Sequence, residues 1–311
     1  ANMKHHHHRR VAFLLGALMA TAIAAEAQLD ADWMIPAAAH NPGARGTYWM
    51  TDLSIHNPHE YELPVVVQAL PSDTTNGEVP TLTFNLYPWE TINLWDVLGP
   101  EVFDIGGTAA MLVYADPSLA CDPIEDCHLL VTSRTFTPER DGAGEFGLTV
   151  PGAGVGRGTD WSTLAYAAGI LNDGEFFRCN AGVASWTPGW TTVQLDVQSP
   201  EGAIEYSEVF EIPPFGHVQR KLPKSASGGS LVFYLIEGPD DSLVFPYATV
   251  INQETGDGSY VFAEASAVGN SVAKRAHAVV QRPAPPLVGS SVELPRRELL
   301  RNRANPVLRE R

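Results

Sequence analysis

The chain has 311 residues, of which 44% are hydrophobic, and it contains 27 glycines and 24 prolines. This length suits two ordinary domains, and the composition excludes a disordered or collagen-like protein. The formal net charge is −16, but its distribution is uneven. Residues 28–270 carry 8 Lys and Arg against 32 Asp and Glu, whereas residues 271–311 carry 9 basic residues against 3 acidic ones. Because an acidic body repels nucleic acid and anionic membranes, neither is expected as a partner of residues 28–270, and the basic tail is considered separately.

The first 27 residues predict a secretory signal peptide. Lys4, Arg9 and Arg10 form a basic start, residues 11–25 form an apolar stretch, and residues 25–27 give an A-x-A cleavage site. The stretch is shorter than the ~20 residues that a spanning helix needs, although an uncleaved anchor is the alternative. We therefore expect a secreted or periplasmic mature protein with no membrane span after cleavage.

Residues 33–150 predict a first β-sandwich module. Its opening strand alternates apolar and polar positions over residues 48–55, and a second strand covers residues 65–70. A third strand runs into the turn Pro88-Trp89, and Gly106-Gly107 precedes a strand that is apolar on both faces. Period-two alternation is typical of half-buried strands. A strand that is apolar on both faces is typical of a central strand that is covered on both sides.

The same landmarks recur in the same order in residues 164–265, which predicts a second module. A shift of 128 residues places Trp49 on Phe177 and Thr51 on Cys179, and Gly228-Gly229 repeats the glycine pair. Short strands, regular turn signals and almost no helical periodicity indicate an all-β protein with two tandem Ig-like β-sandwich modules. The glycine-rich residues 151–163 are the predicted linker.

The three cysteines have different expected roles. Cys121 and Cys127 lie in one polar loop and predict a local disulfide bond, which an oxidising compartment permits. A metal site made of both cysteines and His128 is the alternative. Cys179 falls on the apolar face of its strand, and we expect it to be a buried core thiol.

Three segments resemble a known repeat. They read IPAAAH at residues 35–40, GTYWMTDLSIHNP at 46–58 and PYATVINQETGDGSYVFA at 246–263. They are similar to a largely uncharacterised β-sandwich repeat family in secreted proteins of environmental bacteria. In that family a W-R-T-D-L-x-L-x-N-P strand opens the module and an A-Y-A-S-V-x-D-N-x-T-G-D hairpin closes it. The resemblance implies a β-sandwich in the envelope or outside the cell and implies no chemistry.

No motif points to catalytic residues, a cofactor or a metal site, so we expect a protein that is not an enzyme. The sharper candidates are aromatic. Trp186 and Trp190 flank one turn, and Trp89 and Trp95 lie near another. Exposed aromatic platforms are common binding faces for sugars and proteins, whereas the alternative is that these rings cap the sandwiches.

Residues 266–311 predict a Pro- and Arg-rich tail. Arg296, Arg297, Arg301 and Arg303 are concentrated near its end. A disordered terminus is one expectation, and electrostatic docking on an acidic module of its own or a neighbouring copy is the other.

Together these features favour an exported, non-catalytic structural or interaction protein of the bacterial envelope or extracellular space, self-assembling through its tail. Its partner is expected to be a protein, itself included. A carbohydrate-binding protein with a tryptophan platform and polysaccharide partner is the alternative, and a hydrolase with a loop-built site comes third.

Overall fold

The computed structural model describes residues 32–116, 127–139, 144–224, 228–267 and 287–293. The predicted signal peptide lies outside these residues. The all-β prediction is confirmed, since the described residues form nineteen strands and only two short 3-10 turns, Ala44–Gly46 and Val155–Arg157. In the described part of the chain, no helix has the length and apolarity to cross a membrane.

Strands β1 to β9 build the first sandwich. One sheet has the order β4-β3-β6-β1, and the facing sheet has the order β5-β2-β7-β8. The short β9 pairs with β1, and β1 also pairs with β2 at its end, which joins the two sheets. The strands are β1 (Asp32–Pro42), β2 (Tyr48–His56), β3 (Leu63–Pro71), β4 (Glu78–Leu86), β5 (Thr91–Leu94), β6 (Gly107–Ala115), β7 (Leu130–Pro138), β8 (Glu145–Pro151) and β9 (Ala153–Gly154).

Strands β10 to β18 build a second pair of sheets. Their orders are β13-β12-β15-β10-β18 and β14-β11-β16-β17. Taken in chain order, each of these strands occupies the place that its counterpart has in the first sandwich. The strands are β10 (Thr163–Leu171), β11 (Phe177–Ser185), β12 (Thr191–Gln198), β13 (Ile204–Ile212), β14 (His217–Lys221), β15 (Gly228–Glu237), β16 (Val244–Asn252), β17 (Gly258–Phe262) and β18 (Glu264–Ala267).

Corresponding turns in the two sandwiches have the same unusual backbone. Trp89 and Phe215 each follow a proline and have φ of +59° and +47°. Gly107 is the first residue of β6 and Gly229 is the second residue of the corresponding strand β15, with φ of +113° and +104°. Because few L-residues adopt positive φ, the backbone conformation of Trp89 and Phe215 is imposed by the turn and not by the intrinsic preference of these residues.

Each sandwich has its own apolar core between its two sheets. Leu53, Ile55, Val67 and Met111 are buried in the first core. Cys179, Ala181, Val183 and Phe233 are buried in the second. Cys179 is therefore a core residue, and burial raises the pKa of its thiol to about 12, which keeps it protonated and unreactive.

A third apolar cluster joins the two sandwiches. It explains why β6 is apolar on both faces: Met111 faces the first core, whereas Leu112 faces the second sandwich. The buried members are Met34, Val66, Leu70, Val79, Ala110, Leu112, Tyr114 and Ala153 from the first sandwich, with Ala184, Trp186, Phe215, Leu243 and Phe245 from the second.

The glycine-rich residues 151–163, which were predicted to be the linker between the modules, pack against both sandwiches. Ala153 and Gly154 form β9, and Thr159 is fully buried and bonded to Val244. A Cβ atom on Gly152 would lie 2.6 Å from Trp33 Cε3. Gly152 thus permits close packing of the backbone on the Trp33 ring. A glycine-rich composition alone does not distinguish such packing from a flexible segment.

The tail is also not wholly unstructured. Leu287–Glu293 forms β19, which adds to β4 at the edge of the first sandwich. The four tail arginines predicted to dock lie outside the described residues.

Candidate functional site

The edge of the first sandwich formed by β4 and β19 is the candidate site. The two strands run parallel, with Leu287 opposite Glu78 and Glu293 opposite Thr83, and a register shift lies between Val288 and Ser291. Every other strand pair in the two sandwiches is antiparallel. An edge strand exposes a row of unpaired N–H and C=O groups, and β19 covers the row on β4.

In the described part of the chain, no strand covers the corresponding edge of the second sandwich. Among the described residues β13 pairs only with β12. Its side chains include Ile204, 60% exposed, and Val209, 49% exposed, interspersed with Glu205, Glu208 and Glu211. Charges on an edge strand hinder unwanted pairing, so the acidic β13 is protected by its side chains and β4 by another strand.

The four tryptophans predicted to form a binding platform are not brought together. Trp186 is fully buried in the cluster between the sandwiches, with its ring 6.5 Å from that of Phe245. Trp190 is 60% exposed and Trp89 is 62% exposed, in different sandwiches. Trp95 is half-buried, and its indole N–H is enclosed without a partner among the described residues. A platform of Trp186 with Trp190 is therefore excluded, because the first ring packs between the sandwiches.

The cysteine loop is described only at its end. Cys127 is buried in the first core and is disulfide-bonded. Cys121, its predicted partner, lies outside the described residues, so the pairing stays a prediction. Nowhere in the described ranges do three or more His, Cys, Asp or Glu side chains come together in a way that suits a metal ion.

A chain of hydrogen bonds crosses from one sandwich to the other through a buried histidine. Ser72 Oγ lies 2.5 Å from His217 Nδ1, His217 Nε2 lies 2.7 Å from the Tyr247 hydroxyl, and this hydroxyl donates to Gln219 Oε1 at 2.8 Å. Ser72 Oγ also donates to the carbonyl oxygen of Thr108 at 2.7 Å, so the chain of hydrogen bonds links β6 of the first sandwich to β14 and β16 of the second. Burial lowers the pKa of His217 to about 4, which keeps the ring neutral.

A second polar group lies within the first sandwich. Asp52 Oδ1 accepts the backbone N–H of Asp96 at 2.9 Å, and Asp96 Oδ1 lies 2.9 Å from His40 Nδ1. Burial raises the pKa of Asp52 to about 6 and also raises that of Asp96. These contacts tie the loop after β5 to β2, so the two carboxyl groups act as a structural anchor for that loop.

Sequence reasoning missed the residues that cross between the sandwiches. Ser72 and His217 are 145 positions apart, and no local spacing links them. The apolar outer face of β6 was the one sequence feature that indicated a contact between the sandwiches, because an apolar strand face needs to be covered.

Comparison with known proteins adds little to this geometry. No protein-family model matches the chain, and no curated protein matches it. Among solved structures, a crystal structure from Parabacteroides distasonis, provisionally described as a secreted protein, aligns over 70% of this chain and 72% of its own at 10% identity, with a TM-score of 0.19. At that TM-score the two chains share no arrangement that supports an inference about fold or function.

Proposed function

We propose that this chain is an exported, non-catalytic interaction protein made of a duplicated Ig-like β-sandwich module, and that its copies join by exchanging the C-terminal strand. The single observation that carries the proposal is the parallel pairing of β19 with the edge strand β4. A strand supplied by a neighbouring copy makes the same hydrogen bonds as one supplied in the same chain.

Duplication is supported by the matching strand orders and by the matching positive φ values at Trp89 and Phe215. The residues that landmark comparison aligns, such as Leu53 with Ala181, occupy corresponding places on β2 and β11. Two independent folds have no reason to share turn strain at the same place.

Exchange is supported by the connection that precedes β19. Residues 268–286 separate the end of β18 from the beginning of β19. Nineteen intervening residues span up to about 60 Å when extended, which is enough to reach a neighbouring molecule. The basic residues after β19 and the acidic body further favour an encounter between copies.

Export is supported by the three-part leader at residues 1–27 and by the disulfide bond of Cys127, since such bonds persist in oxidising compartments. Carbohydrate binding has less support, because the four candidate tryptophans form no common exposed surface.

A mixing experiment tests the exchange. One variant carries Thr83→Cys on β4, and another carries Glu293→Cys at the position opposite it in β19. The two are mixed at high concentration and treated with a short bis-maleimide. We expect a covalent heterodimer by denaturing gel, because β19 of one molecule lies on β4 of the other. Deleting residues 282–311 should leave only monomer in sedimentation velocity.

Ser207→Cys on β13 is the matched control. A cross-link between Ser207→Cys and Glu293→Cys would place the donated strand on the wrong edge and overturn the choice of β4. A mixture that yields only singly modified monomers, together with a monomeric full-length protein at all concentrations, would overturn strand exchange.

A further inference from the structure

A cavity of about 350 Å³ lies between the two sandwiches, apart from the β4 edge. Its apolar wall includes three consecutive alanines of β1, Ala37 to Ala39, with Trp49 and Val150 of the first sandwich and Ile251 of the second. Cavities of this size fall at the small end of ligand pockets, which run from about 300 to 1,000 Å³.

The charged side chains around this cavity are both basic. Arg178 and Lys221 line it, and among the described residues no Asp or Glu lines it. This is unexpected in a chain with 36 acidic and 20 basic residues. Among the described residues neither cation forms an ion pair, whereas Arg134, Arg157 and Arg220 each pair with a carboxylate.

Arg178 is held in place but its hydrogen-bonding capacity is not satisfied. Its Nη1 donates to Asn180 Oδ1 at 3.2 Å, and the Asn180 amide donates in turn to Thr249 at 3.0 Å. Its Nε is enclosed and has no partner within the described part of the chain. Burial lowers the pKa of this guanidinium, so its present surroundings do not compensate the charge. A half-buried arginine without a counter-ion is costly to the fold.

The first sandwich shows that the fold does not require these cations. The 128-residue shift places Met50 at the position of Arg178. Lys221 lies opposite Asn180 in the second sandwich, and Asn180 corresponds to Asp52 of the first. Since Leu53 pairs with Leu94, the next residue, Trp95, corresponds to Lys221. Two apolar residues in one copy are thus two cations in the other, at the cavity.

We infer that this cavity binds a small organic carboxylate with an apolar body. The guanidinium presents a planar fork that matches a carboxylate, and Lys221 adds a second positive charge. The alanines, Trp49 and Ile251 receive the apolar body. The bound carboxylate supplies the counter-ion and the acceptor that Arg178 lacks.

The orientation of the ligand follows from an adjacent cavity. This second space, of about 400 Å³, shares Arg178 and Trp49 but is also lined by Glu139 and Glu254. These carboxylates repel an anion, so the carboxylate group is directed toward the Lys221 side of the guanidinium.

Calorimetric titration of the mature protein with phenylacetate, 4-phenylbutyrate and octanoate tests the inference, with phenylacetamide as the uncharged analogue. We expect saturable binding of at least one acid and much weaker binding of the amide. Arg178→Met, which installs the residue of the first sandwich, should weaken binding by about tenfold or more, because a charged hydrogen bond is lost. Lys221→Gln should weaken it by less.

Lys224→Gln is the matched control, since it removes one positive charge that does not line the cavity, and it should leave affinity unchanged. Melting temperatures show whether each variant folds, and Arg178→Gln replaces Arg178→Met if the latter does not. Absence of binding by all three acids, equal binding of acid and amide, or undiminished binding by the Arg178 variant would each overturn the inference.

Discussion

At the scale of single residues, His217 and Asp52 are buried titratable groups with opposite effects on stability. The pKa of His217 is lowered from 6.5 to about 4 by burial, with Asp73 and Arg220 acting on it in opposite directions. Between these pH values the unfolded chain binds a proton that the folded chain does not. The free energy of unfolding therefore falls by about 3 kcal/mol as the pH is lowered from 6.5 to 4.

Asp52 behaves in the opposite way. Burial raises its pKa from 3.8 to about 6, against the hydrogen bond from Asp96 and the charge of Arg134. Its ionised form is disfavoured in the folded state, so acidification from pH 6 to 3.8 adds about 3 kcal/mol to the free energy of unfolding.

The two effects should nearly cancel in the unmodified protein. Urea unfolding between pH 4 and 7 should give a shallow profile for it. His217→Gln should become relatively more stable on acidification, and Asp52→Asn relatively less stable. Parallel profiles for all three proteins would contradict the assigned protonation states. Sequence alone did not predict either group, because its burial depends on residues distant in the chain.

At the scale of elements, the Pro-aromatic turns before β5 and β14 allow one conformation to be tested in two settings. Trp89 and Phe215 both have positive φ, but Trp89 is 62% exposed and Phe215 is 6% exposed. A left-handed conformation costs an L-residue about 1–2 kcal/mol, and glycine avoids that cost. Only at Phe215 does the side chain contribute enough packing to outweigh it.

Trp89→Gly should therefore leave the free energy of unfolding unchanged or raise it by up to about 1 kcal/mol. Phe215→Gly should lower it by about 3 kcal/mol, since a buried ring is lost. Trp190→Gly is the control, because Trp190 is also exposed but has an ordinary φ. It should lower stability slightly. A clear loss of stability in Trp89→Gly would show that its ring is packed.

The elements that sequence predicted were those with regular alternation. β2, β3, β4 and β6, with their counterparts in the second sandwich, correspond to the four landmarks that recur in the sequence. β1 and β10 did not stand out as strands, because each contains an irregularity, between Ile35 and Ala38 and between Ala168 and Ile170, that breaks the period of two. β19 was missed because its sequence, LVGSSVE, does not alternate between apolar and polar residues, and its partner β4 lies far earlier in the chain.

At the scale of the whole molecule, the third apolar cluster is expected to make the two sandwiches unfold together. Trp186 and Phe245 of the second sandwich pack with Met34 and Leu112 of the first, all of them fully buried. A shared core of this kind couples the unfolding of both halves. Scanning calorimetry should show a single transition.

Trp186→Ala should separate the two halves. Removing a fully buried indole costs about 3–5 kcal/mol and leaves a cavity at the junction. We expect two transitions for this variant and a single one for the exposed control Trp190→Ala. Two transitions in the unmodified protein would show that the sandwiches unfold independently.

The position of β19 also has a consequence in time. β4 ends at Leu86, and the strand that covers it begins at Leu287. At synthesis rates of about 5–20 residues per second, the chain that covers the edge follows on the order of 10–40 s after the edge itself. Under the proposed exchange, a finished strand from an older molecule competes during that interval with one that has not yet been made. The proportion of exchanged molecules should then rise with the concentration of molecules where new chains emerge, and each population of molecules should keep the proportion that was set when it was made.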